Sequence, residues 1–355
     1  MDKIKIAEAF KNNKGSVLLG IDGYVDEVYQ LVESRTGQDE VKLYSRMGKY
    51  AERILQAGSG GMSVEIIRKR RTFGGFTANT GNAVARLGVD TTMLALYGKD
   101  KLDSVFAPFE KTCRVISVGD PAMTNIFEFD DGKIMLPYIE SIYEFNWKKL
   151  IGSLGVEKTV SLFADAGLIA FGYWSSMPNF DEVITEIVNC LPAERKTRRI
   201  FFDFAELRKR DEASLVNTLS LLKELNKKIP MTFSMNEHEA SQVFALHGEG
   251  LDAKAPPSPD LMTRVRERLG FDEIVVHTPH YAAAASLSED VSFAPQDFCE
   301  KPARTTGAGD TFNGAYISAR VAEVEIKDRL AFANAVVGFF LRNGEAPSLT
   351  EILGG

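Results

Sequence analysis

The sequence is poor in cysteine, histidine and tryptophan, and it has no long apolar run. Its 355 residues include only three cysteines, Cys113, Cys190 and Cys299, which are too few and too far apart for a disulfide framework or a CxxC metal pair. The longest apolar run, near Ala335–Leu341, is far shorter than the ~18–20 residues of a membrane-spanning helix. The first residues lack the hydrophobic region of a signal peptide. These absences predict a protein of the reducing cytoplasm without a membrane span.

The sequence also lacks an excess of basic charge. It has 42 Lys and Arg residues against 49 Asp and Glu residues, a net charge of −7, which argues against a general nucleic-acid binder. No Gly-x-Gly-x-x-Gly follows the first strand, and no Gly-x-x-x-x-Gly-Lys-Ser/Thr occurs. A dinucleotide-binding oxidoreductase and a P-loop enzyme are therefore disfavoured. With 45% hydrophobic residues, the chain is expected to fold around an ordinary core, as about two domains or one large one.

Short apolar runs alternate with helical patterns, which favours a mostly parallel sheet with helices on its faces. The predicted strands are Val17–Ile21, Thr91–Tyr97, Gly167–Phe171, Arg199–Phe204, Met231–Ser234 and Glu273–Thr278. The predicted helices are Asn79–Leu87, Phe180–Leu191, Glu212–Asn226, Pro259–Leu269, Thr311–Glu323 and Lys327–Arg342. Two segments break the alternation. The first is Tyr24–Thr72, which contains a predicted helix at Lys49–Ala57. The second is a predicted hairpin at Met123–Tyr138. Both segments fit a smaller β-rich appendage.

The most informative stretch is Arg304–Gly314, where a glycine-rich turn opens directly into an apolar helix. Free N–H groups at a helix start and the helix dipole favour an anion, so the turn predicts a phosphate cradle. Asp310 lies in the first turn of this helix. It is either a carboxylate favoured by the helix dipole or a base that takes a proton from an attacking hydroxyl group.

A second glycine turn, Gly74-Gly75, leads into the helix that contains Asn79. One interpretation makes Asn79 the N-cap of that helix. The other gives it a polar ligand, because an amide side chain both donates and accepts hydrogen bonds.

These residues resemble those of the ribokinase-like (PfkB-type) carbohydrate kinases over nearly the whole chain. Four motifs occur in the family's order. They are the Gly20–Asp26 strand end, the Gly-Gly-x-x-x-Asn…Ala-x-Leu-Gly pattern of Gly74–Gly88, the Asn-x-x-Glu of Asn236–Glu239, and the Thr-Gly-Ala-Gly-Asp-Thr-Phe-x-Gly of Thr306–Gly314. The resemblance implies a three-layer α/β/α fold with a mostly parallel central sheet and a small β-rich lid.

The resemblance also implies a role for each matching residue. Asp310 would be the base, and Gly307, Ala308 and Gly309 would form the anion hole. Asp26, Gly74, Gly75 and Asn79 would bind the sugar. Asn236, Glu239, Thr278 and Thr306 would bind the nucleotide, with Glu239 organising Mg²⁺ through water.

The implied activity is transfer of the γ-phosphoryl group of ATP to a hydroxyl group of a carbohydrate or related small molecule, with Mg²⁺ as cofactor. The alternative is a non-catalytic sugar- or nucleotide-binding protein of the same fold. The large domain would comprise residues 1–23, 73–111 and 141–355, and the lid residues 24–72 and 112–140. The expected partners are a sugar and a nucleoside triphosphate, with no nucleic acid or membrane and with a possible homodimer formed through the lid.

Three positions depart from the family pattern. Arg304 replaces the aspartate that helps to bind a monovalent cation, so K⁺ dependence is doubtful; the arginine either supplies the charge itself or points outward. The segment His280–Ala283 replaces a glycine-rich nucleotide loop, which suggests either a modified loop or altered nucleotide use. The basic run Arg68–Arg71 is either a solvated face or, through strand alternation, a pair of side chains that faces an anionic substrate.

Overall fold

The structure is a computed structural model that describes residues 1–192 and 198–354. Within these ranges the chain forms fourteen β-strands. In chain order they are Ser16–Gly20 (β1), Tyr24–Thr36 (β2), Glu40–Leu43 (β3), Ile66–Gly74 (β4), Asp90–Ala95 (β5), Arg114–Ser117 (β6), Ala122–Phe129 (β7), Gly132–Tyr138 (β8), Leu168–Gly172 (β9), Arg199–Asp203 (β10), Met231–Asn236 (β11), Glu273–His277 (β12), Tyr281–Ser286 (β13) and Ser292–Pro295 (β14).

Thirteen α-helices lie in the same ranges. They are Lys3–Asn12 (α1), Met47–Ala57 (α2), Phe76–Arg86 (α3), Glu140–Tyr143 (α4), Trp147–Leu154 (α5), Val156–Asp165 (α6), Phe180–Cys190 (α7), Glu212–Asn226 (α8), Glu237–Leu246 (α9), Pro259–Leu269 (α10), Ala308–Val321 (α11), Ile326–Asn343 (α12) and Leu349–Leu353 (α13). No helix in the described ranges is both long and apolar enough to cross a membrane.

Nine strands form the large sheet, in the order β14-β13-β12-β11-β10-β9-β1-β5-β6. All neighbours are parallel from β12 to β6, and β13 and β14 are added antiparallel at one edge. The central strands are buried on both faces, which explains their continuous apolar sequences. The carboxyl ends of the parallel strands therefore meet along one edge, where α/β sheets commonly bind ligands.

Helices cover both faces of the large sheet. Val17 and Leu19 of β1 face a core shared with α3, α11 and α12, whereas Leu18 faces a core shared with α6 to α10. Alternation along one strand thus divides its side chains between two hydrophobic layers. This arrangement confirms the predicted three-layer α/β fold.

The small sheet consists of β2, β3, β4, β7 and β8. Its long strand β2 pairs antiparallel with β4 and β3 and parallel with β7, and β8 completes the hairpin with β7. These strands coincide with the two segments that break the βα alternation in the sequence, except that β4 extends to Gly74 and β7 begins at Ala122. Strand β2 begins just after β1, so the small sheet stands at the edge formed by the carboxyl ends of the parallel strands.

Two helices begin three residues earlier than the sequence predicts. Helix α3 begins at Phe76 rather than Asn79, and α11 begins at Ala308 rather than Thr311. In both cases the residue before the helix, Gly75 or Gly307, has a φ of 88°. The left-handed glycine turns the chain directly into the helix, ahead of the apolar stripe that carried the prediction.

Two further predictions are corrected. Ala283 does not belong to a loop, since it is buried in β13 and pairs with Val276. The segment between β12 and β13 is thus only three residues long. In β4 a bulge interrupts the pairing with β2 between Val28 and Tyr29. The bulge breaks the two-residue alternation predicted for the basic run Arg68–Arg71, because an extra residue shifts the side chains that follow it.

Candidate active site

The glycine turn before α11 forms the floor of the site. The N–H of Ala308 donates to the carbonyl of Thr305 at 3.1 Å, and the N–H of Thr311 donates to the carbonyl of Gly307 at 2.9 Å. Among the described residues, the N–H groups of Gly309 and Asp310 have no such partner. These two groups lie at the positive end of a buried helix and are free to bind an anion.

Asp310 occupies the first turn of α11 and is partly buried. Its Oδ2 accepts a hydrogen bond of 3.1 Å from Nδ2 of Asn79. Burial raises the pKa of Asp310 well above its ordinary value, and the charges of Asp203 and Asp22 add to the effect. Asn79 and Arg304 act in the opposite direction. A carboxylate with a raised pKa beside an anion-binding turn is chemically suited to accept a proton.

Asn79 is not the N-cap of α3, which removes one of the two interpretations of this residue. The N-cap is Gly75, and the buried carboxylate of Asp22 takes over the capping. Asp22 accepts hydrogen bonds from the N–H of Phe76 at 2.7 Å and of Thr77 at 2.8 Å, and a further one from the Thr77 hydroxyl group. Burial raises the pKa of Asp22 to about 6. The amide of Asn79 is therefore available to Asp310.

The glycine pair lies against two carboxylates. A Cβ atom at Gly75 would lie 2.2 Å from Oδ2 of Asp22, and one at Gly74 would lie 2.6 Å from Oδ2 of Asp26. Asp26 projects from β2 and is partly buried. Burial raises its pKa, while a hydrogen bond with Thr124 and the charges of Lys133, Arg304 and Arg70 lower it. The glycines thus give the chain room beside the side chain predicted to bind the sugar.

Arg304 faces the site rather than the surface, so the outward-pointing alternative is wrong. It is partly buried, and its Cζ lies 5.6 Å from the ring centroid of Phe340. Burial and the charge of Arg70 lower its pKa, whereas the charges of Asp26 and Asp310 raise it. The guanidinium group therefore stands within the electrostatic field of both carboxylates.

A second group of polar residues lies at the ends of β10 and β11. Asn313 of α11 donates to Oδ2 of Asp203 at 2.6 Å and accepts from Ser234 at 2.6 Å. Burial and the charge of Asp203 raise the pKa of the neighbouring Glu239 to about 8. The oxygens of Glu239 accept the N–H groups of Asn236 and Glu206, each at 3.0 Å. The carboxylate of Glu239 therefore lies in the field of Asp203, and its hydrogen bonds with two backbone N–H groups fix its orientation.

Asn236 caps α9 through a reciprocal capping box with Glu239. Its Oδ1 accepts the N–H groups of His238 at 2.9 Å and Glu239 at 3.0 Å. The Asn-x-x-Glu motif thus has a local structural role in addition to the nucleotide role that the family resemblance implies. Within the described ranges no three His, Cys, Asp or Glu residues cluster as a direct metal site.

Thr278 closes the tight turn between β12 and β13. Its hydroxyl oxygen accepts the N–H groups of His280 and Tyr281, both at 3.0 Å. The preceding His277 stacks on Phe312 of α11 at 4.7 Å, and its Cε1 would lie 3.3 Å from a Cβ at Gly309. Burial lowers the pKa of His277 to about 4, so its imidazole is neutral at pH 7. The His277 ring thus packs against the anion-binding turn at Gly309.

Three residues of the site were not selected from the sequence: Asp22, Asp203 and Tyr173. Tyr173 follows β9 with a left-handed backbone, and its ring lies 5.4 Å from that of Tyr24. Burial raises its pKa well above the ordinary value, and the charges of Asp310 and Asp22 add to this. The sequence signal available for all three was a polar or aromatic residue at or just after the end of a buried strand of the large sheet.

The basic run of β4 is largely neutralised within the small sheet. Arg71 binds Asp103 through two hydrogen bonds, of 2.7 and 2.6 Å, and Glu27 at 2.7 Å. Arg68 also faces Glu27, at 3.6 Å, and Arg70 binds Glu128 at 2.5 Å. The predicted pairing of side chains toward an anionic substrate is therefore not seen.

Comparison with known proteins gives a family match, one relative and two similar structures. The sequence model of the family described as prokaryotic ketohexokinase matches residues 4–354. A ketohexokinase of Haloferax volcanii is 26% identical over 348 residues, which cover 95% of this chain and 90% of that protein. The ribokinase of Arabidopsis thaliana in complex with ribose and ATP superposes with a TM-score of 0.65, at 15% identity, over 96% of this chain and 97% of that one. For the ribokinase of Thermotoga maritima the TM-score is 0.62, at 17% identity, over 96% and 98% of the chains.

Proposed function

The chain belongs to the prokaryotic ketohexokinase family of ribokinase-like carbohydrate kinases, and we propose that it transfers the γ-phosphoryl group of ATP to a hydroxyl group of a ketohexose. The observation that carries the proposal is the position of Asp310, in the first turn of α11 beside two free N–H groups. A base and an anion cradle are thereby adjacent. That is the juxtaposition required when a hydroxyl group attacks a phosphoryl group.

In the proposed reaction the acceptor hydroxyl oxygen attacks the γ-phosphorus while its proton passes to Asp310. The bond between the γ-phosphorus and the bridging oxygen breaks, and ADP leaves with the electron pair. The N–H groups of Gly309 and Asp310 stabilise the transferring group. Gly307 sets the turn, and Ala308 holds it closed through its bond with Thr305. Hydrogen bonds aimed at developing charge commonly provide a large part of such catalysis.

We assign the sugar to the cleft between Asp26 and Asn79, with Gly74 and Gly75 leaving space for it. The carboxylate of Asp26 accepts hydrogen bonds from hydroxyl groups, and the amide of Asn79 can both donate and accept them. The internal ion pairs of Arg68, Arg70 and Arg71 support a neutral sugar rather than an anionic one. This agrees with the name of the Haloferax relative, a ketohexokinase.

We assign the nucleotide to the ends of β11 and β12, where Asn236, Glu239, Thr278 and Thr306 would border it. Mg²⁺ would lie near Asp203 and Glu239. Hard oxygen donors suit this ion, and the raised pKa of Glu239 reflects two acids that a cation would stabilise. Because Glu239 already binds two N–H groups, it would hold Mg²⁺ through water. The bound ion would neutralise charge on the nucleotide phosphates.

We propose that Arg304 takes the place of a monovalent cation beside the anion turn. Its partly buried guanidinium group lies in the field of Asp310, where an arginine repels K⁺ rather than binding it. Turnover should therefore be the same in potassium and in tetramethylammonium salts at equal ionic strength. A saturable activation by K⁺ would contradict this role.

We further propose that the small sheet, residues 24–74 and 122–138, forms a lid and that the lid supports a homodimer. The predicted lid segment 112–140 is corrected at its start, because β6 (Arg114–Ser117) pairs with β5 in the large sheet. Helix α2 of the lid is amphipathic and buries none of its side chains. Leu55 on this helix is 79% exposed, and Leu136 on β8 is 54% exposed. Exposed apolar side chains of this kind favour association with a second copy. Sedimentation of the wild type and of a Leu55→Glu variant would test it, since the charge should dissociate a dimer formed there.

A phosphoryl-transfer screen tests the proposed function. The purified protein would be incubated with Mg·ATP or Mg·GTP and a panel of ketohexoses, aldoses, sugar phosphates and nucleosides. Phosphorylation of a ketohexose that Asp310→Asn lowers by at least 10³-fold is expected, because the reaction then lacks its base. Undiminished turnover in that variant would remove Asp310 from the mechanism. Binding of a sugar without any turnover in the wild type would contradict the kinase.

A further inference from the structure

One side chain crosses from the small sheet to the anion-binding turn. Lys133 lies at the start of β8, immediately after the β7–β8 turn, and its Nζ donates a hydrogen bond to Oγ1 of Thr306. Thr306 directly precedes Gly307, the residue that sets the turn before Asp310. The contact therefore joins two segments 173 residues apart in the chain, at the point where the phosphoryl group would bind.

The pairing of the hairpin leaves Lys133 available for this contact. In the register of β7 and β8, Lys133 lies opposite Glu128, the carboxylate expected to bind it. Arg70 of β4 occupies that carboxylate instead, through bonds of 2.5 and 3.2 Å. Among the described residues Lys133 makes no ion pair, and its one hydrogen bond is to Thr306. Lys133 thus lacks its cross-strand partner and reaches the anion-binding turn instead.

Lys133 also lies close to the sugar side of the site. Its charge acts on Asp26, together with the charges of Arg304 and Arg70. An ammonium group has three N–H donors, and the bond to Thr306 uses one of them. Two donors and a full positive charge remain beside a turn whose free N–H groups already favour an anion.

We propose that Lys133 is a catalytic residue that binds the transferring phosphoryl group from the lid side, opposite the N–H groups of α11. This inference rests on the proposed function and adds a residue to it. During transfer the charge of the phosphoryl group is spread over three equatorial oxygens, which the α11 turn contacts from one side. Lys133 donates to these oxygens from the other side and stabilises them as the bond to ADP breaks. Since Lys133 belongs to the small sheet, the site is complete only when that sheet is in place.

Three substitutions separate the charge from the hydrogen bond. Lys133→Met removes both, Lys133→Gln keeps a donor without the charge, and Lys133→Arg keeps the charge. Lys69→Met in β4 is the matched control, because Lys69 is exposed and has no hydrogen bond or ion pair among the described residues. For Lys133→Met we expect kcat to fall about 10²-fold, as when a stabilising donor is removed from an anion hole, with the sugar KM nearly unchanged. Lys133→Gln should resemble Lys133→Met, and Lys133→Arg should recover most of the activity.

A binding measurement provides a second readout that does not depend on turnover. The affinity of tetrafluoroaluminate, which mimics the transferring phosphoryl group, would be measured in the presence of Mg·ADP and ketohexose. Lys133→Met should weaken it about as much as it lowers kcat and leave binding of Mg·ADP alone unchanged. Lys69→Met should alter neither quantity.

Three results would overturn the inference. The first is a Lys133→Met variant with the kcat of the wild type, and the second is a Lys133→Gln variant as active as the wild type. The third is a loss confined to KM, which would mean that Lys133 only holds the small sheet against the turn. The proposed function fails differently, since the wild-type protein would then phosphorylate no sugar in the panel. Sugar phosphorylation that depends on Asp310 but not on Lys133 would leave the kinase in place and reject only the lid lysine.

Discussion

The Nδ2 atom of Asn79 donates a hydrogen bond to Oδ2 of Asp310 at 3.1 Å, which joins the first turn of α3 to the first turn of α11. Both helices begin at a glycine with the same positive φ, and their starts face each other across the cleft. The bond fixes one carboxylate oxygen of Asp310. The other, Oδ1, accepts no hydrogen bond from the described residues and is free to take a proton. Asn79 thereby orients the carboxylate of the proposed base.

Removing the charge of Arg304 should move the acid limb of the pH profile. The guanidinium group lowers the pKa of Asp310, so Arg304→Met raises that pKa. A base must be deprotonated to act, and the acid limb of kcat/KM will therefore shift to higher pH. Initial rates from pH 4 to 9 measure the shift. Arg53→Met, an exposed charge on α2, is the control and should leave the limb unchanged; an equal shift in both variants would rule out a local effect.

Gly75→Ala should destabilise the protein and impair the proposed sugar site. The new methyl group would stand 2.2 Å from Asp22, in a backbone conformation with a φ of +88°. Strained backbone alone costs about 1–3 kcal/mol, and the displaced cap of α3 adds to this. Gly37→Ala is the matched control, because its φ is +75° but no atom lies within 4 Å of the new methyl group. Urea denaturation should show the larger loss for Gly75→Ala, and equal losses would mean that Asp22 moves aside without cost.

Arg329→Met should produce a large loss of stability far from the site. Arg329 is fully buried and binds Glu273 at 2.9 Å and Glu289 at 3.0 Å. Its removal leaves the buried Glu273 with hydrogen bonds from Tyr316 and Thr232 and with the more distant charge of Arg320 at 4.0 Å. Breaking a buried pair from one side costs about 3–5 kcal/mol. Calorimetry or urea denaturation measures the loss. Arg35→Met breaks an exposed pair with Glu65 and should change the stability little.

The protein should become more stable on mild acidification. Burial raises the pKa of Asp22 to about 6 and that of Glu239 to about 8, both above their values in the unfolded chain. Asp22 and Glu239 therefore take up protons on folding across this range, and their contribution raises the free energy of unfolding as the pH falls from about 8 to 5. His277, whose pKa is lowered to about 4, opposes this contribution below its ordinary pKa of 6.5. Each such proton contributes at most about 1.4 kcal/mol per pH unit. Glu239→Gln should flatten this slope, whereas Glu8→Gln, at an exposed position of α1, should leave it unchanged.

Patterns local in sequence predicted most of the fold. The helices Glu212–Asn226 and Pro259–Leu269 have the predicted bounds, because each begins at a clear capping residue. The βα alternation gave the parallel sheet. The starts of α3 and α11 were misplaced because the glycine before each helix, rather than the apolar stripe within it, determines where the helix begins.

The site was less accessible to such reasoning. Asp310 and the two glycine turns stand in recognisable motifs. The capping of α3 by Asp22 links residues 54 apart, and the bond of Asn79 to Asp310 links residues 231 apart. No periodicity relates such positions, since only the three-dimensional arrangement of the strand ends brings them together. The bulge in β4 had the same effect on the basic run: an interruption in pairing with β2 determines where its side chains point.

Because β2 is long, different parts of the small sheet lie at very different distances from the end of the strand at Tyr24. Asp26 lies two residues from the beginning of β2, or ~7 Å at ~3.3 Å per residue, whereas Lys133 lies level with a point just beyond Tyr29, ~20 Å along the strand. A rotation of the sheet about the end of β2 at Tyr24 carries the backbone at Lys133 about three times as far as that at Asp26. Such a rotation would move Asp26, on the proposed sugar side, over a short distance and Lys133, on the proposed phosphoryl side, over a long one. A rotation of this kind would separate Lys133 from the anion turn before Asp26 had moved far.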